Sequence, residues 1–322
     1  MINIKKIGIL TRDCAGVNAA IRAIVRTACA YDMEIVGIMR GYEGLINNEI
    51  IPLSSRSVSG IINLGGTILK TSRSKTFCSS EGRSQAAKNI RANGIDGLIV
   101  VGGNGSLTGA HLLAVEHNIP VIGVPTTIDN DINGVDNAIG ADTAINVAID
   151  ALDKIRDTAV SLERIFVVEV MGRNCGYIAS KVALAGGCEE VLLPERDFNM
   201  DNLCEDIEKA SKKGKVSWII ITAEGKAKAL DLVRTINEKT GFDIRAVVLG
   251  HIQRGGHPTA FDRVLAAYYG NFAVELFRKG EINKCMRLEK NNTMVSFPLE
   301  EAIKPKNIEV EKCYGLIKIL AG

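Results

Sequence analysis

A chain of 322 residues that is 46% apolar and 24% charged has enough apolar material to bury a large core and is long enough for two domains. Its formal net charge of +2 and its 5% aromatic content exclude the strong basic field and stacking platforms of a nucleic-acid or membrane-surface binder, which leaves small-molecule partners. Eight cysteines lie scattered without a C-x-x-C pair, which argues against a zinc site or a disulfide framework and for a reducing cytoplasm.

Met1 to Leu10 alternates basic and apolar residues without a signal-peptide core, and no apolar run approaches the length of a bilayer span, so the chain is expected to be mature as it stands. Ile7 to Leu10 is a short β-type run, and Gly16-Val17-Asn18-Ala19-Ala20 opens an alanine-rich helix to about Tyr31. Glu34 to Met39 repeats the strand signal, and Val58 to Leu69 is mixed and glycine-interrupted. A polar helix over Ser84 to Ala92 leads into strand Gly97 to Val101, helix Ser106 to Glu116 and the apolar run Ile119 to Val124. A long helix is expected from about Asp142 to Asp157, with Ile145, Ile149, Leu152 and Ile155 in one core-facing stripe. The pattern then restarts, with strands at Ile165 to Val170, Val191 to Leu193, Trp218 to Thr222 and Ala246 to Leu249. Helices at Cys175 to Leu184, Leu203 to Lys212, Lys228 to Glu238 and Phe261 to Arg278 alternate with them. From Glu281 onward the chain is weakly patterned and reads as a tail.

Short apolar runs alternating with helices, joined by Gly, Asn or Asp, predict an α/β fold of two doubly wound, Rossmann-like lobes with mainly parallel sheets and right-handed crossovers. The boundaries fall at residues 1–139, 140–255 and 256–322, the last being a helix and a tail that pack back across the lobes. Ligands of such sheets bind outside the carboxyl ends of the strands. Two of those ends carry chemistry. Val124-Pro125-Thr126-Thr127-Ile128-Asp129-Asn130-Asp131 sets a hydroxyl and two carboxylates where a strand gives way to a loop, although Asp-Asn-Asp is also good turn chemistry. Gly102-Gly103-Asn104-Gly105-Ser106 offers bare backbone amides at a helix start, a turn that binds phosphate oxygens.

Together with Val168-Glu169-Val170-Met171-Gly172-Arg173 and Leu249-Gly250-His251-Ile252-Gln253-Arg254-Gly255-Gly256, these motifs run co-linearly. From about Ile4 to beyond Cys285 the chain resembles the 6-phosphofructokinase family of bacterial type. The resemblance implies phosphorylation of fructose 6-phosphate at its 1-hydroxyl, in a cleft between a donor-binding and a sugar-phosphate-binding lobe, with Mg2+ as cofactor. Phosphoryl transfer needs a base at the attacking oxygen and positive charge around the moving group. By resemblance Asp129 is the base, Thr127 holds the transferring phosphate, Arg173 neutralises its growing charge, and Asp131 helps to fix metal and loop. Met171, Gly172, Glu224, His251 and Arg254 would read the sugar phosphate, with Arg164 and Arg245 reaching in from a neighbouring subunit of a homotetramer. Arginine suits that task because its planar fork matches phosphate oxygens. Thr11, Arg12, Arg73, Gly103, Asn104, Gly105 and Ser106 are the implied donor-binding positions, and Asn104 and Asp129 the metal-binding ones. Arg22, Arg26, Arg156, Glu189, Lys213 and Lys215 match an allosteric site for an ADP- or phosphoenolpyruvate-type effector, although Ser55, beside Arg56, replaces one of its basic positions. His111, His117 and His257 fall outside these roles and read as packing or capping residues.

The chain departs from the family in two places. The family's first phosphate loop has two glycines, an aspartate and a proline-glycine step, whereas Leu10-Thr11-Arg12-Asp13-Cys14-Ala15-Gly16 is two residues shorter and lacks the glycine pair that lets backbone approach a phosphate. Arg12 either occupies that space or supplies charge to the phosphates. Asn104 stands where most relatives have an acid that helps coordinate magnesium, which implies a weakened metal site. ATP is the expected donor, because Gly105 leaves open the space an adenosine needs and Thr126 is small and uncharged, where pyrophosphate users carry an acid and a lysine. A pyrophosphate-dependent enzyme and a catalytically weak paralogue acting as a regulatory subunit are the alternatives. An NAD-kinase-like enzyme fits only the glycine turn, and neither nucleic acid nor membrane is an expected partner.

Overall fold

A computed structural model describes residues Ile4–Ala321, so Met1–Asn3 of the amino-terminal alternation, and Gly322, lie outside the described residues. The first elements are β1 (Lys6–Thr11), α1 (Val17–Ala30), β2 (Glu34–Ile38), α2 (Tyr42–Ile46), β3 (Ile50–Pro52), α3 (Ser80–Ala92), β4 (Gly97–Gly102), α4 (Asn104–His117) and β5 (Val121–Pro125). There follow α5 (Ala141–Leu162), β6 (Ile165–Val170), α6 (Tyr177–Ala185), β7 (Glu190–Leu192), α7 (Met200–Lys212), β8 (Trp218–Ala223), α8 (Ala229–Thr240) and β9 (Ile244–Val248). The chain closes with α9 (Ala260–Arg278), β10 (Lys284–Leu288), β11 (Met294–Pro298), α10 (Leu299–Ala302) and α11 (Glu311–Leu320).

Two compact units share these elements. The first runs to Thr143 and takes up Arg254–Asn307, and the second comprises Ala144–Gln253 and the residues from Ile308 onward. The segment 256–322, expected as a helix and a tail, contributes its residues up to Asn307 to the first unit and those from Ile308 onward to the second.

The first unit holds a seven-stranded sheet ordered β11-β10-β5-β4-β1-β2-β3. β1, β2, β4, β5 and β10 run parallel, while β3 and β11 pair antiparallel at the edges. β4 reads Gly-Leu-Ile-Val-Val-Gly and is buried along its whole length, as an apolar run without alternation must be when helices cover both faces of a sheet. The chain leaves β1 toward β2 on one side and returns to β4 on the other, so the carboxyl ends of β1 and β4 flank a topological switch point. Helix α9 closes on α1 at Gly270, where a Cβ would stand 2.7 Å from the Ala23 Cβ and 2.9 Å from the Ala20 carbonyl oxygen. No larger residue fits that crossing without pushing the helices apart.

A four-stranded parallel sheet, β7-β8-β6-β9, organises the second unit around Val167, Ile220, Leu232 and Ile236. Buried Glu169 on β6 accepts from the Ala229 amide at 2.8 Å and thereby holds the start of α8 against the sheet. Helix α11 belongs to this unit and is anchored by Lys318 to Glu190 at 2.9 Å.

Two readings of the sequence are corrected, and one strand that the sequence did not signal is added. The region after Glu281 contains a β-hairpin, β10 and β11, whose turn places Asn292 at φ 60°. Its strands, Lys-Cys-Met-Arg-Leu and Met-Val-Ser-Phe-Pro, are short, show no period-2 alternation and are mostly half-buried, so the strand signal is weak. The edge strand β3 is three residues long and largely exposed, too short for any periodicity. Helix α5 continues to Leu162, and its fully buried line is Ala144, Ala148, Leu152 and Ala159, with Ile145, Ile149 and Ile155 half-buried beside it. Alanines carry little hydrophobic weight in a pattern, yet they are what lets a helix approach its neighbours closely.

Candidate active site

In the first unit the expected donor and catalytic residues gather at the carboxyl ends of β1, β4 and β5, adjacent strands in one parallel ladder. Gly102 ends β4 in close contact with its surroundings, since a Cβ there would lie 2.6 Å from the Ser106 side chain and 3.3 Å from the Arg12 Cγ. Gly103 precedes α4 and provides no side-chain cap, and the Ser106 and Leu107 amides donate to its carbonyl at 2.9 and 3.0 Å, so it is the Asn104 and Gly105 amides ahead of them that can meet a ligand. Gly105 faces open space, with no atom within 4 Å of a Cβ built on it. Ser106 is buried, and its carbonyl oxygen accepts from the Tyr42 hydroxyl at 2.6 Å, a support for this turn that sequence reasoning missed.

Asn104 opens α4, and its side-chain amide donates to the Asp131 carbonyl oxygen at 3.2 Å. Its own Oδ1 is buried and has no hydrogen-bond partner. A buried carbonyl oxygen without a donor is costly, which marks this atom as one that a ligand completes. Thr11, an expected donor-binding position, is fully buried, with its hydroxyl 2.8 Å from that of Thr67. Thr126 is likewise buried, with its hydroxyl toward the Val124 carbonyl at 3.4 Å, so the openness expected around the donor rests on Gly105.

The loop after β5 is built tightly. The Thr127 hydroxyl accepts from the Asp129 amide at 3.2 Å and lies 3.3 Å from an Asp131 carboxylate oxygen, so the three expected catalytic groups form one local turn. Asn130, between the two acids, adopts φ 50°, a conformation that asparagine tolerates better than most residues. It is buried, donates to the Asp136 carbonyl at 2.7 Å and accepts from the Ala138 amide at 2.8 Å. Lys306 comes in from the far end of the unit and donates to the carbonyls of Asn130 at 2.7 Å and Val135 at 2.6 Å. Asn133 bonds the Glu301 carbonyl at 3.0 Å, and Ile132 bridges to Pro305. Residues 301–306 thus clamp the loop that carries Asp129. At its other end the loop is held by Asp262, which is fully buried and accepts from the amides of Gly140 and Thr143, both at 2.9 Å. Burial raises the Asp262 carboxyl above the ordinary aspartate range, against the pull of the Thr143 hydroxyl and these amides.

Arg254, also in this unit, is half-buried. Exposed His257 is placed as expected of a structural histidine, with Nδ1 2.6 Å from the Asn63 carbonyl oxygen.

In the second unit Met171, Glu224 and His251 lie at the carboxyl ends of β6, β8 and β9. The Met171 amide donates to Oε1 of Gln253 at 2.8 Å, and Gln253 is wholly buried, a structural tie between two motif strands that residue type alone did not single out. Gly172 has φ 137°, and a Cβ there would sit 2.4 Å from the Cys175 carbonyl oxygen. Only glycine fits. Arg173 follows, exposed. Arg164 and Arg245 lie at the opposite, amino-terminal ends of β6 and β9, sharing Asp243 at 2.8 and 3.1 Å. Six residues of β6 at roughly 3.3 Å each put about 20 Å between them and Met171 of the same chain.

The implied effector positions of this unit are engaged internally. Glu189 accepts from the Ile219 amide at 2.7 Å and pairs with Lys215 at 3.2 Å. Arg156 donates to the carbonyls of Gly186 and Gly187, and Lys213 is exposed at the end of α7. Arg22 and Arg26 lie on α1 in the first unit, half-buried and exposed.

The phosphofructokinase family model matches residues 6–277. The ATP-dependent 6-phosphofructokinase of Thermotoga neapolitana is 46% identical over 319 residues, covering 98% of this chain and all of the relative. That of Thermoanaerobacter sp. is 48% identical over 320 residues, 98% of this chain and 99% of the relative. A phosphofructokinase from Pichia pastoris, solved in the T-state, matches all of this chain at 34% identity and a TM-score of 0.88, the chain spanning 37% of that larger protein. With its motifs in order on two mainly parallel sheets and a match over nearly its full length, the chain belongs to the phosphofructokinase family.

Proposed function

We propose that this protein phosphorylates the 1-hydroxyl of fructose 6-phosphate with ATP, as a cytoplasmic 6-phosphofructokinase of glycolysis. The observation that carries the reading is the clamped loop after β5, which presents Asp129 with Thr127 and Asp131 in one hydrogen-bonded turn beside the uncapped start of α4. Asp129 takes the proton from the attacking hydroxyl. Thr127 orients the transferring group and Arg173 offsets the charge that develops on it. Met171, Glu224, His251 and Arg254 grip the sugar phosphate. Arg164 and Arg245, about 20 Å from Met171 along the strand, complete that site from a second copy of the chain, which is the basis for a homotetramer. Effector binding at Arg156, Glu189, Lys213 and Lys215 requires Lys215 to leave Glu189 and Arg156 to leave the Gly186 and Gly187 carbonyls.

Magnesium fits the donor set if it is held lightly. Among the described residues no group of three or more His, Cys, Asp or Glu side chains could hold a metal. What remains is the Asp129 carboxylate and the unpartnered Asn104 Oδ1, and magnesium typically keeps several waters and relies on one or two carboxylates plus the phosphates of the substrate. The bound ion would supply charge neutralisation on the phosphates.

The test is a coupled assay with fructose 6-phosphate and magnesium, run side by side with ATP and with pyrophosphate. ATP turnover is expected, and a higher kcat/KM for pyrophosphate overturns the choice of donor. No turnover with either donor, alongside retained fructose 6-phosphate binding, identifies a regulatory subunit instead.

A further inference from the structure

We propose that Arg12 is a ligand for the phosphoanhydride oxygens of the donor, and that it takes over part of the charge neutralisation otherwise left to a divalent cation. The inference rests on the kinase reading above and deepens it at the donor site.

The placement is fixed by the backbone. The Arg12 amide donates to the Val101 carbonyl at 3.0 Å, extending the β1–β4 ladder by one bond beyond Thr11. Its side-chain stem then lies over Gly102, as the 3.3 Å from its Cγ to a Cβ built there indicates, and one guanidinium nitrogen donates to the Ser72 carbonyl at 2.7 Å. The guanidinium is thus held at the switch point between β1 and β4, with N–H groups to spare beyond that one bond.

Its electrical surroundings do not satisfy it. The charges acting on Arg12 are Arg73 and Arg254, both repulsive, and Asp13, which is exposed. Two like charges thus oppose one carboxylate in their effect on Arg12. Burial, and then Arg73, lower the Arg12 pKa from the usual arginine value, a sign that the protein alone holds this charge at a cost. A half-buried cation with unused donors, repelled by two like charges, is stabilised when a compact polyanion arrives. On the other side of the turn, the first turn of α4 carries no acidic residue and has the buried Asn104 carbonyl oxygen where an acid would repel bare phosphate. The site as built favours a phosphoanhydride that is not fully shielded by metal.

Equilibrium binding by titration calorimetry tests this, with ATP as the probe, in magnesium and in EDTA, on wild type, Arg12→Ala and Arg12→Lys. Wild type is expected to bind ATP in EDTA within about tenfold of its affinity in magnesium. Arg12→Ala should lose about tenfold or more in EDTA, the scale of one charge-assisted hydrogen bond, and less in magnesium. Arg12→Lys, which keeps the charge, should recover part of the loss and shows that the site still folds. Wild-type binding that disappears in EDTA overturns the proposal. So does an Arg12→Ala protein that binds ATP as tightly as wild type or better, because Arg12 then only fills the space. Fructose 6-phosphate binding and turnover are measured separately. A protein without turnover that shows the Arg12-dependent ATP binding refutes the kinase reading and leaves this inference standing, whereas active enzyme with Arg12-independent ATP binding does the reverse.

Discussion

Lys306→Met removes the clamp on the catalytic loop while keeping the length of the side chain. Lys306 donates to two backbone carbonyls, Asn130 at 2.7 Å and Val135 at 2.6 Å, on either side of the turn that follows Asp129. A hydrogen bond from a charged donor contributes about 1.5–3 kcal/mol, and for a half-buried lysine the lower end applies, so the pair holds the loop by roughly 3 kcal/mol. At about 1.4 kcal/mol per factor of ten, the loss caps the fall in the population of the ordered loop at about a hundredfold. The other ties of the loop, from Asn130 to Asp136 and Ala138, limit the damage, so a decrease in kcat of roughly ten- to a hundredfold is expected. The KM for fructose 6-phosphate should move little, since most of the residues proposed to grip it lie in the other unit. Lys306→Arg should restore part of the rate. Steady-state kinetics reads the outcome, and hydrogen exchange over residues 129–139 reports the loop directly. A Lys306→Met enzyme with kcat within about twofold of wild type, or one with unchanged exchange in the loop, refutes the reasoning.

Asp129→Ser should lower kcat by about 10²–10⁴-fold and leave fructose 6-phosphate binding largely intact, because a general base acts on the reaction more than on the ground state; near-normal turnover would remove Asp129 from that role. Arg245→Ser should raise the KM for fructose 6-phosphate far more than it lowers kcat, since it grips a phosphate that does not react, and a fully active monomer by light scattering contradicts a contribution across subunits. For Asp262→Asn the pH dependence carries the information. Burial raises the folded-state pKa of this acid, so the folded chain binds the proton more tightly than the unfolded one, and the carboxyl's contribution to stability is greatest at low pH and falls as pH rises through the raised value. The destabilisation caused by Asp262→Asn should therefore be larger near about pH 5 than near about pH 7.5 in urea denaturation, and the opposite trend would mean that the three donors outweigh burial.

Much of the protein is legible along the chain because its signals are local. Runs such as Leu98 to Val101 and Ile165 to Val170 read as buried strands, and a glycine turn or an Asp-Asn-Asp at the end of such a run signals a ligand-facing loop. Family membership was legible for the same reason, since each motif is a short contiguous stretch tied to one strand end. Tertiary structure decided what depends on partners distant in sequence. Lys306 reaches Asn130 across 176 residues, and Asp262 reaches Gly140 across 122, so neither clamp leaves a trace in periodicity or spacing. The β10–β11 hairpin gains its place by pairing with β5 rather than from its own pattern. Thr11 and Thr126 have the residue type of phosphate ligands, but their hydroxyls are turned into the core, and only packing sets that direction. The sequence left open whether Arg12 blocks or serves the donor site, because the answer depends on which charges the fold brings around one guanidinium, and charge acts through space rather than along the chain.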